Sequence, residues 1–362
     1  MMKKICFLVK NIFNQGGDTI ATVLLANKMI QDNEVTIISL FKTSEKPLFN
    51  IDKNIRVISL FEEPFSLRKN YFKTLLELRK VINSIEMEVL LIGAVGFNSI
   101  VYPIVRNKRI KVISCEHASY YDGGKTFGMA WLGRKIACRY MDCIVVLTSK
   151  DLKDYQDNIK KINRIEQIYN PMDEALVTYP YNKSSKQFIT CGRLVEVKGY
   201  DYLVEVAKKV FDKHPDWEWH IYGEGPERRS IKQKIEEYGL KENVKIMGEI
   251  TNIYEKYHDY AAYVMTSRAE SFGMVLVEAL KSGIPAISFD CNNGPREIVR
   301  DGENGALVNA FDVEAMSTRM CNIIEDKELR VQLASQSQIG LDKFKIDNIY
   351  LEWMKLIESI NN

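Results

Sequence analysis

The stretch QFITCGRLVEVKGYDYLVEVAKKVF, residues 187–211, contains a β-rich run, a loop bounded by glycines and a helical pattern in direct succession. Its last part has apolar residues at spacings of three and four, which is typical of a helix buried on one side. The same order recurs on both sides of this stretch, and parallel strands joined by crossover helices produce such an alternation. The other runs with strand character are ICFLV, EVTIISL, IRVISL, VLLIGA, IKVISC and DCIVVLT before it, and WEWHIYG, NVKIMG, AAYVMTS and IPAISFD after it. The sequence therefore predicts an α/β protein.

The length of 362 residues exceeds what one hydrophobic core usually organises, so we expect two domains. The polar stretch YPYNKSSKQ at 179–187 separates two series of strands, and NPMD at 170–173 interrupts regular structure just before it. We predict a first domain over residues 1–170, a second over 171–345, and a C-terminal helix over 346–362 that packs back on the first domain. Ligands of open parallel sheets bind at the carboxyl ends of the strands, so two facing sheets would enclose a central cleft.

Composition indicates a folded cytoplasmic protein. The run ICFLV at 5–9 is too short for a membrane span or a signal peptide. The seven cysteines are scattered and form no CxxC pair. They predict buried thiols, with neither disulfides nor a zinc site. Residues 1–175 carry 26 basic and 19 acidic side chains, hence +7, whereas the remainder carries 24 and 29, hence −5.

This asymmetry is compatible with a first domain that lies peripherally on the inner face of the plasma membrane, or that attracts a phosphate-bearing acceptor. A solvated amphipathic helix is the alternative. We expect no nucleic-acid partner. The basic and aromatic side chains concerned are Arg68, Lys69, Tyr71, Phe72, Lys73, Arg79 and Lys80.

Two glycine-containing loops follow predicted strands. Gly16 and Gly17 precede a helix with a predicted N-cap at Asp18 or Thr19, and paired glycines let a backbone approach a phosphate closely. In the second half, Gly192 is followed by Arg193 and Lys198, whose two cations at one strand end could clamp a diphosphate. Ordinary turns with solvated bases are the alternatives. Neither GxxxxGK[ST] nor GxGxxG occurs, which argues against a P-loop nucleotidase and a nicotinamide enzyme.

The stretch ESFGMVLVE at 270–278 places one carboxylate before a predicted helix and a second one two turns inside it. A rise of about 1.5 Å for each of the intervening residues puts Glu270 and Glu278 roughly 12 Å apart. The unpaired amides of the helix start would lie between them and would face an anion; they belong to Ser271, Phe272, Gly273 and Met274. A sugar, a diphosphate and a ribose match this order of groups, whereas the paired acids of a glycosidase stand closer together. The alternative is a carboxylate that favours the helix dipole and a second one that is solvated.

The chain resembles the retaining glycosyltransferases of family 4, which adopt the GT-B fold of two Rossmann-like domains. The resemblance covers nearly the whole chain in the family's order. The matching pieces are GG at 16–17, EH at 116–117, GRLVEVKG at 192–199, YGEGPER at 222–228, ESFGMVLVEAL at 270–280 and GPREIVRDGENGALV at 294–308.

The resemblance implies a first domain that binds the acceptor and a second that binds a nucleotide sugar. Arg193 and Lys198 would neutralise the donor diphosphate, Glu270 would hold the sugar and Glu278 the ribose. The backbone of the pair Gly16–Gly17 would lie near the diphosphate, and Gly223 with Glu224 near the nucleotide; ordinary turns are again the alternative. His117 would lie near the transferred sugar, although many relatives have an Asp directly after this His, where this chain has Ala118. Tyr120, Tyr121 and Asp122, which precede Gly123 and Gly124, could contact the acceptor or belong to the core.

The resemblance therefore implies a hexosyltransferase that moves a hexose or N-acetylhexosamine from a UDP-sugar, with retention, to a glycan or a polyprenyl-diphosphate-linked glycan in cell-surface polysaccharide synthesis. We expect no cofactor and no metal, since no DxD stands in a loop and Arg193, Lys198 and the helix amides supply positive charge. Two alternatives are a non-hydrolysing UDP-sugar epimerase of the same architecture and a catalytically silent UDP-binding partner. The epimerase would need several acid and base groups around the sugar. The chain has four histidines, and one of them is well placed, which argues against an epimerase.

Overall fold

The computed structural model describes residues 2–121, 128–250 and 252–361. Contacts divide the chain into two compact units, Met1–Met172 with Lys343–Asn362, and Asp173–Asp342. Each unit has its own parallel sheet and its own hydrophobic core. Every described helix is too short or too polar to cross a bilayer.

The first unit is built on a seven-stranded sheet with the order β3-β2-β1-β4-β5-β6-β7. Its strands are β1 Lys4–Val9, β2 Glu34–Phe41, β3 Arg56–Phe61, β4 Val89–Ile92, β5 Lys111–Glu116, β6 Cys143–Val146 and β7 Ile165–Gln167. Its helices are α1 Gly17–Met29, α2 Tyr71–Ser84, α3 Asn98–Val105, α4 Met129–Tyr140, α5 Ser149–Asn158 and α12 Ile346–Asn361. The central strand β1 is buried from Ile5 to Val9, because helices cover both faces of the sheet. The sequence does not predict strand β7, since three residues carry too short a pattern.

The second unit has a six-stranded sheet with the order β10-β9-β8-β11-β13-β15. Its strands are β8 Gln187–Cys191, β9 Glu218–Tyr222, β10 Val244–Gly248, β11 Ala262–Met265, β13 Ala286–Asp290 and β15 Gly305–Asn309. A separate two-stranded pair joins β12 Ala269–Glu270 to β14 Asn292–Asn293. The helices are α6 Tyr200–Phe211, α7 Arg228–Glu237, α8 Met274–Lys281, α9 Pro295–Ile298, α10 Val313–Glu325 and α11 Lys327–Ser335. All ten strand runs predicted outside the stretch 187–211 are confirmed.

Helix α12 belongs to the first unit although it follows the second in the chain. Its side chains Ile349, Trp353, Leu356 and Ile357 are buried in the same cluster as Phe7 of β1. A 16-residue amphipathic helix with this many large apolar groups completes a core that the first 172 residues leave open.

Candidate active site

The carboxyl ends of β8, β9 and β10 meet backbone to backbone in the second unit. The amide of Gly223 donates to the carbonyl of Gly248 at 2.8 Å, and the amide of Gly192 donates to Tyr222 at 2.9 Å. A Cβ on Gly223 would lie 1.9 Å from the Gly192 carbonyl oxygen, and its φ is 146°. Only glycine fits this position, so the predicted Gly192 and Gly223 form one compact floor at the sheet edge where ligands of parallel sheets bind.

The two residues predicted to contact a diphosphate and a sugar form an ion pair. Lys198 ends a short 3₁₀ turn, Glu196–Lys198, after β8, and its Nζ lies 2.7 Å from Oε1 of Glu270 in β12. Ser267 donates to the same carboxylate oxygen at 2.6 Å. The side chains of Lys198 and Glu270 are 25% and 10% exposed, so the pair is largely buried but still accessible. The structure thus brings these two predicted residues together.

A second ion pair holds the segments that carry this first one. Arg268 binds both carboxylate oxygens of Asp201, at 2.7 and 2.5 Å, and also donates to the carbonyl of Glu196 at 2.9 Å. Its own amide donates to the carbonyl of Val197 at 2.8 Å. Bidentate guanidinium–carboxylate pairs fix geometry as well as charge. The turn that presents Lys198 is therefore tied directly to the strand that presents Glu270.

Arg193 lies next to Gly192 and is exposed. Within the described part of the chain, no carboxylate lies within ion-pair distance of its guanidinium. An exposed guanidinium at this edge is able to bind an anion. The predicted pair of cations is thus placed at one strand end, with Arg193 open to solvent and Lys198 held by Glu270.

Helix α8 begins at Met274, after Gly273 in a left-handed conformation with a φ of 96°. Glu278 is the fifth residue of the helix, just over one turn from its start, so the prediction of two turns was wrong. The error arose because Glu270 lies in β12, and helical rise does not apply between Glu270 and Gly273. The predicted spacing of about 12 Å rested on that rise.

Phe272 and Met274 are buried, hence only their backbone could meet a ligand.

Glu278 is 8% exposed and lies near Tyr254 and Tyr257. Tyr254 donates to its carboxyl group at 3.4 Å. Burial raises the pKa of Glu278 to about 7; the Tyr254 hydrogen bond opposes this shift, and the negative charge of Asp173 adds to it. The side chain can therefore accept a hydrogen bond as a carboxylate or donate one as an acid near neutral pH.

Glu224 and Ser271 lie at the same edge. Glu224 is exposed and forms an ion pair with Arg228, one helical turn along the chain, while its carbonyl accepts from the amide of Leu194 at 2.9 Å. Ser271 is half-buried between β12 and α8. The backbone of Glu224 thus supports the loop after β8, whereas its side chain has a partner of its own.

In the first unit, the helix after the glycine pair begins earlier than predicted. Helix α1 starts at Gly17 with Gly16 as its N-cap, and Gly16 has an extended φ of 175°. The predicted N-cap at Asp18 or Thr19 was therefore wrong; both residues lie in the first turn. The carbonyl of Gly16 accepts the helical bond from Ile20 at 3.0 Å.

His117 follows β5 and lines a small cavity together with Val9, Thr22 and Trp353. Its Nδ1 is buried without a hydrogen-bond partner among the described residues. Burial lowers the pKa of His117, and the negative charge of Asp18 opposes that shift. A neutral imidazole with an unsatisfied ring nitrogen is available to a ligand group.

Glu116, the residue before His117, has a structural role. Its carboxylate accepts from Tyr155 at 2.7 Å and from Arg134 at 3.2 Å, and all three side chains are buried. Burial raises the pKa of Glu116, and the charge of Arg134 opposes this. Tyr120 stacks against Arg134 with 4.9 Å between guanidinium and ring centroid, so it belongs to this cluster. Asp122, Gly123 and Gly124 lie outside the described residues.

Four residues of the second-unit site were not singled out from the sequence. Ser267 and Arg268 stand in the run TSRAE, and their position after β11 was the signal that could have found them. Asp201 and Tyr254 lie far away in sequence, and only the fold brings them to Arg268 and Glu278. Residues 292–293 pair with Ala269–Glu270 as β14.

Comparisons with known proteins give a family match and several full-length relatives. Residues 173–339 match the family described as "Glycosyl transferases group 1". An uncharacterized glycosyltransferase of Haemophilus influenzae is 29% identical over 363 residues, covering 98% of this chain and 100% of the relative. A Campylobacter jejuni protein is 24% identical over 367 residues, covering 100% of both chains. It is named GalNAc-alpha-(1->4)-GalNAc-alpha-(1->3)-diNAcBac-PP-undecaprenol alpha-1,4-N-acetyl-D-galactosaminyltransferase.

Among solved structures, a mutant of S. aureus TarM in complex with fondaparinux, alpha-GlcNAc-glycerol and UDP matches with a TM-score of 0.83. The match covers 98% of this chain and 99% of that one at 16% identity, which speaks for the fold alone. It confirms the predicted GT-B fold of two parallel-sheet α/β domains. Together the match at residues 173–339 and the full-length relatives support a glycosyltransferase.

Proposed function

We propose that this chain is a retaining glycosyltransferase of family 4. It moves a hexose or N-acetylhexosamine from a UDP-sugar to a hydroxyl of a glycan or a polyprenyl-diphosphate-linked acceptor in cell-surface polysaccharide synthesis. The observation that carries the proposal is the ion pair between Lys198 and Glu270 before the start of α8, at the strand end that also bears the exposed Arg193. Cations suit a diphosphate, a carboxylate suits sugar hydroxyls, and the buried Glu278 suits a ribose diol.

The chemistry assigned to these groups is a front-face substitution. The bond between the anomeric carbon and the phosphate oxygen breaks, and UDP leaves with the electron pair. The acceptor oxygen forms the new bond on the same face, and its proton goes to the departing phosphate. Lys198 and Arg193 stabilise the charge that grows on that phosphate, and we expect this stabilisation to be the protein's main contribution to the rate.

His117 is proposed to contact the transferred sugar. Its buried Nδ1 has no partner among the described residues, and the imidazole is held neutral by burial. A neutral ring can donate or accept one hydrogen bond at a sugar hydroxyl. This role does not need an Asp after His117, where the chain has Ala118.

Catalysis is expected to proceed without a divalent metal, because two cations already stand at the proposed diphosphate site. We predict that initial rates measured by UDP release in excess EDTA stay within about twofold of those in magnesium. Magnesium can replace protein cations at a leaving diphosphate, so a strict magnesium requirement would contradict this role for Lys198 and Arg193.

The acceptor side is proposed to involve a membrane surface. Helix α2 exposes Phe72 and Leu76, which are 77% and 55% exposed, on the same face as Arg79 and Lys80. Tyr71 does not share this surface, because its hydroxyl donates to the carbonyl of Ser99 at 2.8 Å. Exposed apolar groups flanked by bases are typical of helices that lie in an anionic interface.

The double substitution Phe72→Ser/Leu76→Ser is predicted to weaken binding to vesicles that contain phosphatidylglycerol about tenfold or more, because each apolar side chain contributes about 1.5–3 kcal/mol on burial. Vesicle sedimentation measures the loss. Leu351→Ser, at an exposed leucine of α12, is the matched control and should leave binding unchanged. Equal binding by the double variant and the unaltered chain would contradict the membrane proposal.

The function itself is tested with a panel of UDP-sugars, a lipid extract as acceptor source and mass spectrometry of the products. Transfer with release of UDP supports the proposal, and the anomeric configuration of the product decides between retention and inversion. Formation of an epimer from the donor alone would favour the epimerase. Binding of UDP without turnover of any donor would favour the silent partner.

A further inference from the structure

Three side chains with metal-ligand chemistry meet in the second unit, away from the candidate active site. His214, Cys321 and Glu325 each place a ligand atom within 4.8 Å of the other two. His214 follows the end of α6, and Cys321 and Glu325 lie one turn apart near the end of α10. Both helices begin after the carboxyl end of a strand and run back along the sheet. The three groups therefore lie near the amino ends of the strands, whereas Arg193 follows the carboxyl end of β8.

The chemistry of this donor set selects among metals. It combines an imidazole nitrogen, a sulfur and a carboxylate oxygen. Calcium and magnesium prefer oxygen ligands alone, whereas zinc binds nitrogen, sulfur and oxygen together. Cys321 and Glu325 have the i, i+4 spacing that puts two ligands on one helix face. The cluster thus has the ligand types and the backbone placement of a zinc site.

The distances leave a small adjustment. Nε2 of His214 already lies 3.1 Å from Oε1 of Glu325. Ligands at about 2.0–2.3 Å from a tetrahedral zinc stand roughly 3.3–3.8 Å apart. Cys321 is buried and fixed, but the side chain of Glu325 is 59% exposed and can rotate. Small rotations of the Glu325 and His214 side chains would bring all three ligand atoms around one ion.

We propose that His214, Cys321 and Glu325 bind a zinc ion, with water as the fourth ligand. Binding displaces the thiol proton of Cys321 to solvent, forms the zinc–sulfur bond and ties the end of α6 to α10. Among the described residues, Lys213 also lies near the thiol, and its cation favours the thiolate but repels the metal. A buried thiol beside an ordinary imidazole–carboxylate pair is the competing interpretation.

The test uses the untagged full chain after removal of bound metals with a chelator. Titration with Co²⁺ should show one ion per chain with thiolate-to-cobalt charge-transfer absorption, and Zn²⁺ should displace it. Cys321→Ser should abolish that absorption, because the sulfur is its source. His214→Gln should weaken Zn²⁺ binding by more than about 100-fold, which exceeds the loss typical of outer-shell partners.

The matched control is His258→Gln. His258 is also a half-buried histidine of the second unit with a carboxylate neighbour, Asp259, at 3.4 Å. This variant should bind Co²⁺ as the unaltered chain does. The proposal is overturned if the unaltered chain shows no charge-transfer absorption, or if that absorption survives in Cys321→Ser. Neither readout depends on transferase activity, so this result is independent of the proposed function.

Discussion

Replacing Lys198 with alanine is expected to lower kcat about 10²–10³-fold, since it removes a cation from the departing diphosphate. The change also leaves Glu270, whose side chain is 10% exposed, with Ser267 as its one side-chain partner among the described residues. The sugar-binding carboxylate therefore loses its fixed position as well. Initial rates of UDP release at saturating donor measure the effect. Lys198→Arg should recover part of the rate, because it restores charge but not the shape of the ammonium group.

The matched control for this loss is Lys234→Ala. Lys234 pairs with Glu205 at 3.1 Å on the surface of the same unit, with a similarly exposed side chain. Removal of that exposed pair should change stability by at most about 1 kcal/mol and leave kcat unaltered. If Lys198→Ala turned over as fast as this control, Lys198 would have no part in leaving-group stabilisation.

Glu278→Gln is expected to stabilise the free protein while it weakens UDP binding. Burial raises the pKa of Glu278 to about 7. Between an ordinary carboxyl pKa of about 4.3 and this value, the folded chain holds a proton that the unfolded chain has lost. The free energy of unfolding therefore falls as pH rises through that window. Glutamine does not titrate, so its advantage should grow to about 3–4 kcal/mol above pH 7.

Thermal unfolding measured between about pH 5 and pH 8 tests the first half of this prediction as a Tm difference that widens with pH. Calorimetry with UDP tests the second half. Loss of a charged acceptor for the ribose diol should weaken binding about 10–100-fold at high pH. In the unaltered chain, UDP affinity should rise as pH increases through about 7. An unchanged UDP affinity in Glu278→Gln would rule out the ribose assignment.

The sheets could be predicted from the sequence because buried parallel strands have a strong local signal. Runs such as EVTIISL and IPAISFD are apolar, rich in β-branched residues and bounded by polar segments. The short strands β7, β12 and β14 escaped prediction, since two or three residues contain no period. Their pairing is decided by the strands and loops around them.

The candidate site also contains residues that the sequence predicts and contacts that it does not. Arg193, Lys198 and Glu270 stand in local motifs next to strand ends, so the sequence could place them at one edge. Contacts such as Arg268 with Asp201, or Tyr254 with Glu278, join residues that are distant in the chain. The position of Glu278 within α8 was also predicted wrongly, because the sequence does not show where β12 ends and α8 begins. The state of its carboxyl group follows from burial, which only the folded chain reveals.

The placement of α12 has a consequence for biosynthesis. Residues 343–362 leave the ribosome after residues 173–342, yet Trp353 and Ile357 complete the core of the unit formed by residues 1–172. Residues 1–172 therefore expose part of their apolar core while residues 173–342 are synthesised. Until α12 emerges, we expect this exposed surface to make the nascent chain more prone to proteolysis and aggregation.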